Sequence, residues 1–182
     1  MSRIHDVLRL LAATCCYAAM PGRANSQQIP VACQPLIDAE RKVIVTPHHT
    51  YQTEGMPRPD GKAKTGESIS TGGVSYLQMK GTWIRSPVTP KAELDRLNQN
   101  IARATAYSCA HVGDESVAGT AAAVYTAHTE SEGVKADARI WLTKSSGLIL
   151  HLEEDVDTGG GDKLHMSIRY EYTNVQAPAG VK

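Results

Sequence analysis

The sequence predicts an α+β fold in which two helices cover one face of an antiparallel β-sheet. The second half of the chain consists of strand-like segments separated by glycine-bearing turns, which is typical of a meander of sequential hairpins. Two other segments repeat apolar residues at helical spacing. An antiparallel sheet has one apolar face that must be covered, and these two helices are the elements available to cover it.

The first element is a secretory signal, which we predict to span residues 1–26. A basic start precedes an apolar run from Leu10 to Met20. Ala24-Asn25-Ser26 then places small residues at the two positions that a signal peptidase recognises. The run is too short for a permanent membrane span, and no later stretch of the sequence is long and apolar enough for one. We therefore expect cleavage near Gln27 and a single periplasmic domain formed by residues 27–182.

The mature chain has a nearly neutral charge and two cysteines. Removing residues 1–26 takes away three arginines and one aspartate, which leaves a formal net charge of −2. That balance argues against nucleic acid or an anionic membrane surface as the main partner. In an oxidising compartment the default state of Cys33 and Cys109 is a disulfide, and their wide spacing is unlike the C-x-x-C of a redox pair.

The first half of this domain is predicted to hold one short helix and four strands. Gln34-Pro35 places proline in the first turn of the helix, and Thr46-Pro47 ends it. Gly72-Gly73 suits a two-residue hairpin turn because glycine readily adopts positive φ. The apolar helix positions are Leu36, Ile37, Ala39, Val43 and Ile44, and the strands are expected at Thr50–Met56, Glu67–Thr71, Val74–Met79 and Thr82–Arg85.

The second helix has the clearest signals in the chain. Thr89 supplies a capping hydroxyl, and Pro90 suits the first helical position. Leu94, Leu97 and Ile101 recur at helical spacing, with charged and polar residues between them. We expect the apolar side of this helix to lie across the last strands of the sheet.

Five further strands are predicted after this helix. In the last one, apolar and polar residues alternate cleanly, so that every second side chain faces the core. Leu148, Leu150 and Leu152 are expected to continue the same apolar face on the preceding strand. The predicted strands are Tyr107–Val112, Ala121–Thr129, Asp137–Thr143, Leu148–Asp155 and Leu164–Asn174, and the apolar positions of the last are Leu164, Met166, Ile168, Tyr170 and Tyr172.

Two hairpin motifs carry a family resemblance. The first joins Gly73-Val74-Ser75-Tyr76 to Gly81-Thr82-Trp83, and the second is Trp141-Leu142-Thr143-Lys144-Ser145-Ser146-Gly147-Leu148, which is similar to a W-x-x-K-x-(T/S)-G-L hairpin. With the order of elements, these motifs resemble the LolA/LppX-like superfamily of bacterial envelope proteins, the lipoprotein-carrier fold. The resemblance implies a strongly curved sheet, an incomplete barrel, with two helices on its concave face. Several members hold acyl chains or lipids between the sheet and the helices.

The resemblance favours binding or chaperoning of a hydrophobic ligand, such as an acyl chain, lipid or lipoprotein, in a groove between the sheet and the helices. The alternative is a non-enzymatic envelope sensor or protein-interaction module in which the same residues form a fully packed core. A cavity between helix and sheet distinguishes the two. The predicted groove residues are the apolar positions of the second helix and the last two strands: Leu94, Leu97, Ile101, Leu150, Leu152, Met166, Ile168 and Tyr170.

The chain carries no recognised catalytic motif. The sequence has no G-x-S-x-G, S-x-x-K, H-E-x-x-H, C-x-x-C or G-x-G-x-x-G pattern. We therefore expect a binding protein, not an enzyme, that needs no cofactor.

Histidines are the remaining metal-ligating candidates. His151 and His165 fall on the polar face of neighbouring strands, where Glu153 would complete a site for zinc or copper. The run of carboxylates before Gly159 suggests a calcium site, because carboxylate oxygens are typical ligands of this cation. A solvated sheet face and a charged hairpin loop explain both patterns more simply, so we predict no metal site.

Overall fold

The computed structural model describes residues 29–55, 63–159 and 163–181. The predicted signal at 1–26 lies outside the described residues. The elements in chain order are a 3₁₀ turn (Val31–Cys33), α1 (Gln34–Val45), β1 (His48–Gly55), β2 (Lys64–Thr71), β3 (Val74–Met79), β4 (Thr82–Arg85), α2 (Pro90–Arg103), β5 (Ala106–Val117), β6 (Thr120–Ser131), β7 (Val134–Thr143), β8 (Ile149–Asp157) and β9 (Lys163–Glu171).

Within the described residues, the nine strands form one antiparallel sheet in the order β4-β3-β2-β1-β9-β8-β7-β6-β5. Two meanders, β1 to β4 and β5 to β9, are joined by the pairing of β1 with β9, in which His49 lies opposite Glu171 and Gly55 opposite His165. The edges β4 and β5 do not pair with each other, so the sheet is not closed into a barrel. The predicted α+β fold, an incomplete barrel with two helices, is confirmed.

Helix α1 covers the centre of the sheet, on the side that we call the helix face. Three α1 residues with little exposed surface, Leu36, Ala39 and Val43, pack against Ile140 and Leu142 of β7 and the start of β8. Burial of such side chains contributes about 1.5–3 kcal/mol each. The core predicted from the apolar periodicity of the first helix therefore lies under α1.

The turn between β7 and β8 explains the second hairpin motif. The Oγ1 atom of Thr143 accepts hydrogen bonds from the backbone N–H groups of Ser146 (3.3 Å) and Leu148 (3.1 Å). Gly147 has a φ of +67°, which favours glycine. Lys42 of α1 donates to the Ser146 carbonyl oxygen at 3.1 Å, so the motif also docks the helix onto the sheet.

The opposite side of the sheet, which we call the open face, has its own smaller apolar cluster. Trp141 packs there with Ala122 and Val124, and Leu150 lies against them. The Trp141 indole N–H donates to Glu115 at 2.7 Å, which satisfies the buried polar atom of the ring. Leu150 was expected on the helix face, and that prediction is wrong because the ladder between β7 and β8 shifts register at Trp141 and Leu142.

A disulfide ties the start of α1 to the edge of the sheet. Cys33, which has no exposed surface, is bonded to Cys109 of β5, and their Cα atoms are 5.0 Å apart. The predicted pairing is confirmed. No helix in the described part of the chain combines the length and apolar character that a membrane span needs.

Candidate functional site

A cavity of about 350 Å³ lies between α1, α2 and the helix face of the sheet. Its volume is within the range of about 300–1,000 Å³ that is typical of small-molecule sites. The cavity has apolar side chains from both helices and from the sheet, with polar groups of β1, β2 and α2 around them. Its lining residues include Val43, Ile44, Leu97, Ile149, Ile168 and Tyr170, and the polar residues His48, Thr50, Gln52, Ser68, Glu93, Arg96 and Asn100.

Helix α2 forms the outer wall of this cavity. The helix begins as predicted, because the Thr89 hydroxyl accepts a hydrogen bond from the Ala92 N–H at 3.2 Å and Pro90 follows the cap. None of its residues is fully buried, and Leu97 is only half-buried. In the described structure, one side-chain hydrogen bond joins the helices, from Arg41 to Asn98 at 3.2 Å. Helix α2 therefore borders the core without being part of it.

Tyrosine and histidine rings shape the inner end of the cavity. The buried His48 ring lies 5.9 Å from the Tyr170 ring, and its Nδ1 is held 2.7 Å from the Thr46 carbonyl oxygen. The Tyr172 hydroxyl donates to the Ile149 carbonyl at 2.6 Å, next to the cavity. These contacts fix the rings in place, so this end of the cavity is preformed.

The cavity continues into a second hollow of about 430 Å³ over β1, β2 and β3. The two hollows share Thr50, Gln52 and Ser68. Leu77 and Met79 line the second hollow and are among the exposed large apolar residues of the protein. Together the hollows form a continuous groove along the helix face.

Glu40 is the most strongly perturbed carboxyl group beside the cavity. It lies on α1 and lines both the 350 Å³ cavity and a smaller one of about 70 Å³, which also contains Glu154. Burial, and secondarily the negative charge of Glu154, raises the pKa of Glu40 to about 7. Burial also raises the pKa of Glu154. Both groups therefore favour the protonated form more than exposed glutamates do.

This raised pKa predicts that the protein loses stability as the pH rises from about 4.5 to about 7. In that interval the folded state holds a proton on Glu40 that the unfolded state releases, so the free energy of unfolding falls by up to about 3 kcal/mol. Replacing Glu40→Gln should flatten this slope in urea unfolding measured across the pH range. The same substitution at Glu153, on the open face, should leave the wild-type slope in place. Equal slopes for wild type and Glu40→Gln would contradict the burial of a titrating Glu40.

The structure brings together three of the eight predicted groove residues. Leu97, Ile168 and Tyr170 line the 350 Å³ cavity, and Leu152 lines the adjoining smaller one. The remaining four are elsewhere: Leu94, Ile101 and Met166 line neither cavity, and Leu150 faces the other side of the sheet.

Two further findings change the picture predicted from the sequence. Both helices were expected to cover the sheet; α1 packs on its apolar core, whereas no residue of α2 is fully buried. Sequence reasoning also missed the polar lining, including Glu40 and Gln52. Apolar periodicity gave no signal for these residues because they interrupt it.

The histidines of the open face are paired with carboxylates across the strands. His165 Nδ1 lies 2.8 Å from Asp155, and His128 Nδ1 lies 2.7 Å from Asp137. His151, which was considered together with His165, lies opposite Arg169 instead. Among the described residues, no group of three or more potential ligands has a geometry that would hold a metal ion.

A wider hollow of about 620 Å³ on the open face is lined by these same ion-paired side chains. The polar lining favours the helix face as the place for an apolar ligand. The loop that was considered for calcium includes residues 160–162, which lie outside the described part of the chain.

No protein-family model and no curated protein matches this chain. Similar solved structures are the Mycobacterium tuberculosis lipoprotein LppX (8% identity, 83% of this chain and 100% of that one, TM-score 0.46) and LprF from Mycobacterium bovis (10% identity, 82% and 97%, TM-score 0.43). A third similar structure is MucB in complex with MucA (16% identity, 82% of this chain and 60% of that one, TM-score 0.46). The likeness concerns the fold only and carries no conclusion about a ligand.

Proposed function

We propose that this protein is an exported, periplasmic binding protein that holds a hydrophobic or amphiphilic ligand, such as the acyl chain of a lipid or lipoprotein, between α2 and the sheet. The observation that supports this most directly is the 350 Å³ cavity behind a helix with no fully buried residue. A fully packed core was the alternative. The protein is packed under α1 but hollow beside α2, which favours ligand binding over a purely structural role for these residues.

The binding energy would come from removing an apolar chain from water. Each methylene buried against the cavity wall contributes about 0.8 kcal/mol. Part of that gain comes from the protein, because Leu97, Ile168 and Tyr170 are only partly covered by other residues. An acyl chain on these residues would complete the burial that α2 alone leaves unfinished.

If α2 acts as a lid, entry of the ligand needs this helix to shift. Its sparse attachment to α1, through Arg41 and Asn98, makes it the wall that is displaced most easily. The second hollow over β1 to β3 would receive the part of the chain that extends beyond α2.

Replacing Leu97→Arg should weaken this binding strongly while the fold persists. Leu97 lines the cavity from a half-buried position, so a guanidinium there blocks the apolar surface but can still reach water. We expect at least about a tenfold loss of affinity for a neutral, pyrene-labelled long-chain alcohol, equal to about 1.4 kcal/mol. Fluorescence titration measures the affinity, and thermal melting monitors the fold.

The matched control is Gln99→Arg, which adds the same charge to an exposed position of α2. It should bind the alcohol as wild type does. If the wild-type protein binds no neutral amphiphile at all, the carrier function is wrong and the interaction-module alternative replaces it.

A further inference from the structure

The two outer strands of the sheet differ in how their free edges are protected. An edge strand presents unpaired backbone groups to which another chain can add, and proteins usually block it with bulges, charges or covering segments. On β5, a bulge interrupts the ladder after His111, and the disulfide at Cys109 ties another segment to the strand. Strand β4, which is described in full, has neither a bulge nor a proline, and its one charged residue is Arg85. Of the two edges, β4 is therefore the one that is open to pairing.

The backbone of β4 offers the hydrogen-bonding groups of two residues to a partner. The Ser86 N–H extends the ladder with β3 by donating to the Ser75 carbonyl oxygen at 2.8 Å. Inward and outward groups alternate along an antiparallel strand, so the N–H and C=O groups of Trp83 and Arg85 point away from β3. Among the described residues, no strand pairs with this outer side of β4. The edge thus presents donors and acceptors in a fixed order.

The side chains of β4 add an apolar surface on one face and a π surface on the other. Ile84 lies opposite Leu77 on the helix face, and Leu77 is 39% exposed. Trp83 and Arg85 alternate with Ile84 and therefore lie on the open face, where Trp83 is half-buried and Arg85 is exposed. Both faces of the edge are thus incompletely covered.

We propose that two copies of this chain associate by antiparallel pairing of their β4 strands, about a two-fold axis that passes through Ile84. In this register, Trp83 of each copy lies opposite Arg85 of the other, and each such pair exchanges both of its N–H···O bonds. All outward backbone groups of β4 are then satisfied. The inference goes beyond the proposed function and does not depend on ligand binding.

The edge is complementary to itself, which favours a second copy over an unrelated peptide. The guanidinium of Arg85 lies over the Trp83 ring of the other copy, once on each side of the axis. The same contact occurs within the sheet, where the Arg169 guanidinium lies 4.2 Å from the centre of the ring of Tyr51, its direct neighbour across β9 and β1. On the helix face, the two Ile84 side chains meet, and the Leu77 side chains extend this contact into one apolar row across the junction.

Neighbouring registers fit less well. An axis through Trp83 would place Arg85 opposite Gly81 of the β3–β4 turn, so the guanidinium would have no ring to cover. An axis through Arg85 would set two guanidinium groups opposite each other. A slip by one residue would set the open face of one copy against the helix face of the other. The register through Ile84 is therefore the one that the side chains support.

The small size of the interface predicts a weak and reversible dimer. Strand β4 has 4 residues, and stable interfaces normally involve about 20–30 residues on each side. We therefore expect a dissociation constant of about 10–100 µM. Sedimentation velocity of the exported protein, from about 5 µM to about 500 µM, should show a dimer fraction that rises with concentration.

Two substitutions at Arg85 test the contact. Arg85→Pro removes an outward N–H and the guanidinium but keeps the bonds to β3, because proline is tolerated where the N–H faces outward on an edge strand. Arg85→Glu keeps the backbone and places a carboxylate on the Trp83 ring. Each change occurs twice in the dimer, so we expect the dissociation constant to rise at least about tenfold. The control Lys80→Glu makes the same charge change in the adjacent turn, beyond the paired residues, and should dimerise as wild type does.

Cross-linking tests the register. The two copies of residue 84 would form a non-hydrogen-bonded pair with Cα atoms about 4.5 Å apart, which a disulfide can span. Ile84→Cys should therefore give a covalent dimer on mild oxidation, whereas Trp83→Cys should not. Cys33 and Cys109 are bonded to each other, so the introduced thiol is left to react with another copy. Thermal melting monitors the fold of every variant.

The outcomes separate this inference from the proposed function. A dimer that is weakened in both Arg85 variants, kept in Lys80→Glu and cross-linked by Ile84→Cys supports the pairing. A monomer at every concentration overturns it, including the case in which β4 pairs with an extended segment of another protein. A dimer that survives both Arg85 variants, or that is cross-linked by Trp83→Cys in preference, also overturns it. None of these measurements involves a ligand, so their failure leaves the proposed function in place, and a failure to bind the pyrene-labelled alcohol leaves the dimer in place.

Discussion

Replacing Leu142→Ala should lower the free energy of unfolding by about 2–5 kcal/mol. Leu142 is only 4% exposed and lies on β7 under α1, among Leu36, Val43 and Ile149. Truncating it removes apolar contacts and leaves a cavity that a two-layer structure cannot fully close. Urea or thermal unfolding measures the loss.

A matched control is Leu77→Ala on β3. Leu77 lies on the same face of the sheet but is 39% exposed, away from both helices. Substitutions at such positions change stability by about 0.5 kcal/mol or less. If the two variants lose similar amounts, α1 does not pack on the sheet as described.

Local signals allowed most of the elements to be predicted. Pro35 and Thr46-Pro47 bracket α1, Thr89 and Pro90 begin α2, and Gly72-Gly73 forms the turn between β2 and β3 with positive φ at both residues. Each of these features depends on residues within one turn or hairpin. The same is true of the strand ladder from β5 to β9, in which sequential neighbours pair.

The pairing of β1 with β9 could not be read from the sequence. It joins residues near 50 to residues near 170, and no local pattern records which edges of two meanders meet. This pairing nevertheless builds the cavity, because it brings Thr50 and Gln52 beside Ile168 and Tyr170. The candidate site was therefore only partly predictable, even where the elements were right.

Leu150 shows the limit of strict alternation. Leu148 and Leu152, two positions before and after it, contact the core under α1 as expected. The register shift between β7 and β8 displaces Leu150 alone to the open face, beside Trp141. A single bulge thus moved one predicted groove residue to the other side of the sheet.

The two helices cover the sheet to different extents, which the sequence could not predict. Both are amphipathic, and apolar periodicity does not say which of them packs more deeply on the core. The disulfide at Cys33 anchors the start of α1 to β5, and the apolar side of α1 lies on the core. Helix α2 is left at the margin, and the groove results from that arrangement.

Removing the disulfide should lower the free energy of unfolding by about as much as truncating Leu142 in the core. Cys33 and Cys109 are 76 residues apart, and in the chain-entropy model closing such a loop contributes about 4 kcal/mol. We expect the Cys33→Ala, Cys109→Ala double variant to lose about that amount and to melt roughly 10 °C lower. Reducing wild-type protein should lower its stability similarly, whereas a reductant should leave the double variant unchanged.

This bond also links the fold to the compartment. A domain of this kind is typically stable by only about 5–15 kcal/mol, so losing about 4 removes a large fraction of it. Reducing conditions in a cytoplasm would impose that loss, and an oxidising periplasm would not. We therefore expect protein recovered from the envelope to contain the Cys33–Cys109 peptide on non-reducing peptide mapping. Two free thiols in that material would contradict both the stabilising role of the bond and the export that we propose.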